Sequence, residues 1–383
     1  MTGKMPVFRH HSFTRTESCR NDKGGNMKSD FLRKTISILL VLTMVFALAA
    51  CSSSSADSDE TEAAENETSA ETEAETETAG SSETVTIRLD VVTSGTQAIA
   101  AYVMQAENLA EKYNINLEIH ENSGAWGAEW TSLKSDEVDC VITAWTYVSM
   151  NYADIETVCV APFFGWGNSV VTASDSGITG LEDMSGINLG VYQTTALDWV
   201  LMCAAAEQEY GIDLSEENEI NEAASSLLGG MLEQGNIDAA LSYCDTNVIL
   251  AASGDYDVIL DASDCLDILG LDQDAPFLFY TFSREFYEEY PDTVAAFVEM
   301  YEDVYEILMT DDDIWYDIAA ECFDVTDEEA VPQLMETVRE AILYENTEDT
   351  QQQCQDILDW CLENGYEDLI GITSIPDDFI IVQ

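Results

Sequence analysis

From Val85 onward, apolar positions recur with two alternating periods. Val85–Val92, "VTIRLDVV", alternates every second residue, the period of a half-buried strand, and breaks at Thr93-Ser94-Gly95-Thr96. Gln97–Lys112 has helical periodicity, and Asn116–Glu121 returns to strand. Ser123-Gly124 then precedes a helix to Val138, followed by an apolar strand Cys140–Ala144, a helix, and strands Thr157–Phe164 and Asn168–Ala173. Ser176–Met184 reads as a connecting helix. A second unit follows: strand Ile187–Tyr192, helix Thr195–Tyr210, and strands Asp238–Tyr243 and Asp257–Leu260. Phe277–Phe282 looks like a returning strand, and four helices close the chain at Pro291–Met309, Asp313–Cys322, Thr326–Leu343 and Thr347–Asn364. Strands alternating with helices call for parallel α/β sheets. About 300 residues is large for one core and suits two lobes. The pattern divides into a first part of lobe 1 (85–175), lobe 2 (176–265), and a return to lobe 1 with the C-terminal helices (266–383). The two units share a pattern but no sequence, so they are no tandem repeat.

The residues before Val85 follow neither period. Ile36–Ala50 is an apolar run of 15 residues, short of the roughly 20 that a membrane-spanning helix needs. Lys28, Arg33 and Lys34 make a basic segment before it, and Leu48-Ala49-Ala50-Cys51 ends it. That ending resembles the lipobox of bacterial lipoproteins, which implies cleavage before Cys51 and its lipidation. Residues 27–50 are then a signal peptide, and residues 1–26 an upstream start-site extension. Residues 52–84 contain only Ser, Thr, Ala, Glu, Asp, one Asn and one Gly. Such a segment is expected to be a disordered, self-repelling acidic spacer.

Removing the leader sharpens the charge. Residues 1–50 hold eight Lys/Arg and three Asp/Glu, so 5 basic and 72 acidic residues remain, a formal −67. Nucleic acid and anionic membrane surfaces are excluded as partners, because phosphate recognition needs clustered Lys and Arg. Among the eight cysteines after Cys51 no C-x-x-C pair occurs, and the only histidine there is His120. Zinc-type spacing is therefore absent, and no metal or cofactor is expected. Cys140, Cys159, Cys203 and Cys244 sit in apolar runs as small buried hydrophobes.

In open α/β sheets, ligands bind beyond the carboxyl ends of strands, near helix N-termini. Those positions hold Thr93, Ser94 and Thr96; Ser123, Gly124 and Trp126; Trp145 and Thr146; Gln193, Thr194 and Thr195; and Tyr243 with Asp245. Hydroxyls, backbone N–H groups and aromatics suit a small-molecule pocket better than a reaction centre. Trp145 directly follows a buried strand and is the tryptophan expected to touch ligand; Trp166, between two glycines, reads as hinge packing. Asp198 and Asp245 each serve either a helix N-terminus or an amino group of the ligand. Arg284 meets either an anion or a surface carboxylate.

Several runs carry a family resemblance. "VTIRLDVVTSGTQAIAAYV" resembles the opening strand, ligand loop and helix of the sulfonate/nitrate/taurine/thiamine-precursor class of ABC-transporter solute-binding proteins. "LEIHENSGAWGAEWTSLKSDEVDCVITAW" is similar to its second strand and following helix-to-strand segment, with Asp136 where glycine is usual. "SGITGLEDMSGINLGVYQTTALDWVL" resembles its crossing into the second lobe, with Met184 for a leucine and Thr194-Thr195 for Gly-Ser. "LEQGNIDAALSYCDTNV" and "EEYPDTVAAFVEMYEDVYEIL" are similar to a later strand and to the opening of the C-terminal helical part. The resemblance implies a type II periplasmic-binding-protein fold, two lobes closing by hinge motion, and delivery of a ligand to ABC permease and ATPase subunits. With the lipobox, it implies a monomeric receptor tethered to the outer face of the cytoplasmic membrane, in a cell without an outer membrane. Two alternatives stay open: a ligand-sensing domain for a signalling partner, and a pyrimidine-synthase-like enzyme on the same scaffold. The family's synthases imply histidine and a cysteine cluster at the pocket; here His120 lies within a strand and the cysteines are scattered. With so few cations, the residues lean towards a neutral, zwitterionic or cationic organic ligand over a simple inorganic anion.

Overall fold

The alternating run Val85–Val92 (β1) pairs in parallel with Ile115–Asn122 (β2), from Val85 opposite Ile115 to Val92 opposite Asn122. The computed structural model describes residues 84–122 and 127–381. Cys140–Ala144 (β3) lies on the other side of β1, also parallel. Thr157–Phe164 (β4) and Leu278–Ser283 (β10) complete a five-stranded sheet of order β2-β1-β3-β10-β4, with β10 antiparallel to both neighbours. Every residue of β4 is buried although it is an edge strand. The C-terminal tail shields it: Cys159 N–H donates to Phe379 O and Ile381 N–H donates to Cys159 O, each at 2.9 Å. That removes an exposed edge that would otherwise pair with other chains.

The second sheet holds Ser169–Ala173 (β5), Asn188–Val191 (β6), Glu219–Glu222 (β7), Ala239–Ser242 (β8) and Tyr256–Asp261 (β9), in the order β7-β6-β8-β5-β9. β6 runs parallel to β7 and β8, whereas β5 is antiparallel to β8 and β9. The chain crosses between sheets at 165–168 and again between β9 and β10. The division after residue 175 read from sequence thus falls too late, because β5 finds its backbone partners in the second sheet. The predicted helix over Ser176–Met184 is only a 3-10 turn at Leu181–Asp183; Gly177, at φ +79°, adopts a left-handed conformation that a helix cannot continue through.

Phe282, Phe297, Met300, Tyr301 and Trp315 belong to the core between the first sheet and the helices Thr96–Ala106, Pro291–Thr310 and Ile314–Phe323. A second apolar cluster joins Trp145 and Phe279 of the first lobe to Leu189 and Leu241 of the second, with Ile357 and Leu358 of the helix Thr350–Asn364. No helix among the described residues is long and apolar enough to cross a membrane. The lipobox with Cys51, the spacer, and Ser123, Gly124 and Trp126 lie outside the described residues.

Candidate functional site

The parallel strands of both sheets point their carboxyl ends at one cavity of about 450 Å³. Its first-lobe wall includes Val92 after β1, Asn122 at the end of β2, Thr143 and Ala144 of β3, and Thr146, Tyr147 and Met150 of the helix Trp145–Asn151. Glu129 enters from the first turn of the helix Ala128–Lys134. The second lobe supplies Tyr192, Gln193 and Thr195 after β6, Asp198 in the first turn of the helix Leu197–Tyr210, and Tyr243 and Asp245 after β8. Gly165, Gly167 and Asn168 of one crossover and Phe277 of the other form the back. Trp166 packs behind it on Phe277, ring centroids 4.4 Å apart, as expected of hinge packing.

Of the residues predicted from sequence, Thr96, Thr146, Gln193, Thr195, Tyr243 and Asp245 line the cavity. Thr93 and Ser94 are exposed and off its wall. Thr194 is turned away: its N–H donates to Glu222 at 3.0 Å and its hydroxyl bonds the same carboxylate. Trp145 corrects the expectation most clearly. It is fully buried in the second apolar cluster and touches no cavity surface. The site after a strand fixed its backbone, but its side chain points into the core between the lobes. Tyr147 and Glu129 were not anticipated, because they reach the cavity from helices rather than from strand-end loops, and Tyr192 was passed over although it directly follows β6. A tyrosine directly after the apolar run of β6 was the available signal for Tyr192.

Asp198 is 2% exposed. It accepts hydrogen bonds from the Tyr192 hydroxyl at 2.7 and 2.8 Å, Asn168 Nδ2 at 2.9 Å and Trp199 N at 2.8 Å. Burial pushes its pKa up, and these donors oppose the shift. Burial, reinforced by Asp198, holds the Tyr192 hydroxyl well above the usual tyrosine range, so it stays a donor. Tyr243 stacks obliquely on Tyr192, centroids 4.5 Å apart at 48°. Burial raises its pKa first, and the field of Asp198, Glu129 and Asp245 raises it further. Glu129 is likewise pushed up by burial, with Asp90 adding to the effect. Asp90, behind the wall at 3% exposure, has an Oδ2 with no hydrogen-bond partner among the described residues.

Asp245 spans the two lobes. Its Oδ1 accepts from Thr96 N at 2.6 Å, at the start of the helix Thr96–Ala106. The carboxyl carbon lies 2.5 Å from where a Cβ on Gly95 would stand, and Gly95 has φ +76°. Only glycine admits this approach without strain. The helix N-terminus that an anionic ligand would use is therefore held by the protein's own carboxylate.

All five Lys and Arg among the described residues are engaged elsewhere: Arg88 with Asp136 and Asp139, Lys112 with Asp303, Lys134 with Asp154, Arg284 with Asp378 and Glu156, and Arg339 with Asp312. None lines the cavity. Arg284 resolves as a partner of surface carboxylates.

Two α/β lobes joined by two crossovers around one cavity define the fold of periplasmic binding proteins. Residues 95–313 match the NMT1/THI5-like family model, and the chain belongs to that family. No curated protein matches it in sequence. Among solved structures it is similar to the periplasmic aliphatic sulphonate-binding protein SsuA of Escherichia coli, at 14% identity over 76% of this chain and 94% of that one, with a TM-score of 0.61. The periplasmic nitrate-binding protein NrtA of Synechocystis PCC 6803 gives 12% identity, 73% and 82% coverage, and a TM-score of 0.54. The desulfurization enzyme DSZB gives 15%, 78%, 96% and 0.54. At these identities the likeness is one of fold.

Proposed function

We propose that the chain is the solute receptor of an ABC importer, capturing a small organic molecule between its lobes and presenting it to permease and ATPase subunits. The observation that carries this reading is the cavity itself: it is walled by both lobes, backed by the two crossovers, and met by the carboxyl ends of the parallel strands of both sheets. Lipidated Cys51 and the acidic spacer hold the receptor at the outer face of the membrane as a monomer. A receptor is favoured over an enzyme because the one thiol on the cavity wall, Cys244, is buried with its pKa pushed well up by burial, a poor nucleophile. A sulphonate- and a nitrate-binding protein share the fold with a desulfurization enzyme, so the scaffold alone does not decide chemistry.

The test is a thermal-shift and small-angle-scattering screen of the mature chain against small solutes of every charge class. A receptor gains stability saturably with one class and becomes more compact as the lobes close. Solute consumed or converted during the screen would replace the receptor reading with an enzymatic one.

A further inference from the structure

We propose that the cavity takes an organic cation, a protonated or quaternary amine seated against Tyr192 and Tyr243 and balanced by Asp198, Glu129 and Asp245. The inference rests on the receptor reading and names the substrate class of that same site. Three independent features lead to it.

The first is the charge of the wall. Among the described residues three carboxylates line the cavity and no basic side chain does, since each of the five described Lys and Arg is paired elsewhere. A buried carboxylate without a cation is costly. Asp198 has its hydrogen-bond acceptors filled by neutral donors only, which leaves its charge unbalanced until a ligand supplies the counter-charge.

The second feature is the fate of the groups suited to an anion. Thr96 N, at the helix N-terminus, is occupied by Asp245. The N–H and hydroxyl of Thr194 are both bound to Glu222. The hydroxyl of Thr195 accepts from Gln193 Nε2 at 2.9 Å. Internal carboxylates have thus taken the Thr96 amide and both donors of Thr194, groups that a sulfonate or nitrate would use.

The third is the aromatic surface. Tyr192 and Tyr243 present an oblique ring pair beside Asp198, and Tyr147 lines the same cavity from the first lobe. Aromatic faces attract a cation through their quadrupole, most strongly where water is excluded. The Tyr243 hydroxyl lies within the field of all three carboxylates. An organic cation uses both features at once, whereas a metal ion would leave the rings idle.

The experiment is a thermal-shift titration of the mature chain with tetramethylammonium chloride and benzylammonium chloride. Sodium chloride serves as the ionic-strength control, and sodium methanesulfonate, sodium nitrate and an uncharged aminopyrimidine complete the panel. The expected result is saturable stabilisation by an organic cation beyond sodium chloride, with none from methanesulfonate or nitrate. Tyr243→Leu and Glu129→Gln should each weaken it about tenfold, within the range of a desolvated cation–π or ionic contact. Glu129 is only half-buried, so its neutral variant keeps the test open if Asp198→Asn fails to fold. Stabilisation by methanesulfonate, nitrate or the aminopyrimidine without a cation response overturns the proposal and leaves the receptor reading standing. Silence from every class overturns both.

Discussion

Asp139 and Asp198 are both nearly sealed from solvent, at 6% and 2% exposure, yet their partners differ in kind. Asp139, just before β3, receives the Arg88 guanidinium at 2.6 and 3.0 Å and the Arg88 amide at 2.8 Å. That pair ties β1 to β3 at the far end of the sheet from the cavity. Asp198 receives a phenol, an amide and a backbone N–H, and no cation. At Asp139 the chain provides the counter-charge from a very small stock of basic residues. In the cleft it provides none. On the proposed reading, the difference separates charge that holds the fold from charge kept for a ligand.

The two carboxylates should therefore answer to mutation with opposite signs. Arg88→Met strands Asp139 as a buried, uncompensated charge and should cost about 3 kcal/mol, the low end for breaking such a pair because Arg88 is partly exposed. Urea unfolding measures this, and ligand response should be unchanged. A loss below about 1 kcal/mol would mean that Arg88 does not compensate a buried Asp139 charge.

The next effect is the dependence of stability on pH. Asp90, Glu129, Asp198 and Asp245 are all shifted up by burial, and Asp261 is pushed from 3.8 to about 6 by burial, Asp264 and Glu340. A carboxyl group with a raised folded-state pKa binds more protons folded than unfolded, so its contribution is most favourable at low pH and is lost as pH rises through the folded value. For Asp261 that window runs from about 4 to about 6, and it is worth on the order of 3 kcal/mol at most. The ligand-free protein should gain thermal stability from pH 7 to pH 5, and Asp261→Asn should flatten part of the slope. A steady loss of stability over that interval would show that paired carboxylates of the Asp139 kind dominate.

A smaller effect sharpens the contrast directly. Asp198→Asn removes an unbalanced charge while keeping shape, and should raise ligand-free stability by about 1 kcal/mol, subject to Asn168 turning its amide to match. The same variant should lose its response to organic cations. If it unfolds as readily as Arg88→Met, Asp198 is a structural carboxylate and the two sites are alike after all.

The strands were the most legible part of the chain. Val85–Val92, Cys140–Ala144 and Thr157–Phe164 coincide with the runs read from apolar pattern, because burial against a sheet core selects the side chains themselves. Glu219–Glu222 was not legible: "EINE" is a half-polar edge strand held by backbone bonds to β6 rather than by an apolar face. The helix expected over Gln97–Lys112 divides at Asn108, whose φ of 51° is left-handed. Asp136 also takes a left-handed conformation, at φ 59°, one that glycine adopts without strain. For the site, strand-end positions located the cavity but not the direction of each side chain. Thr146 faces the cavity while its neighbour Trp145 faces the core. The carboxylate–tyrosine arrangement depends on two lobes meeting, which no local pattern encodes.

The charge of the ligand can be read most directly from protons exchanged on binding. Cation binding stabilises the ionised forms of Glu129, Asp198 and Asp245 and so lowers their raised pKa values, whereas an anion raises them further. The decisive measurement is isothermal titration of the protein with benzylammonium chloride at mildly acidic pH, in two buffers of different protonation enthalpy. Net proton release on binding, with affinity falling as pH is lowered, is the predicted result. Proton uptake, or binding that appears only with methanesulfonate or nitrate, would contradict it.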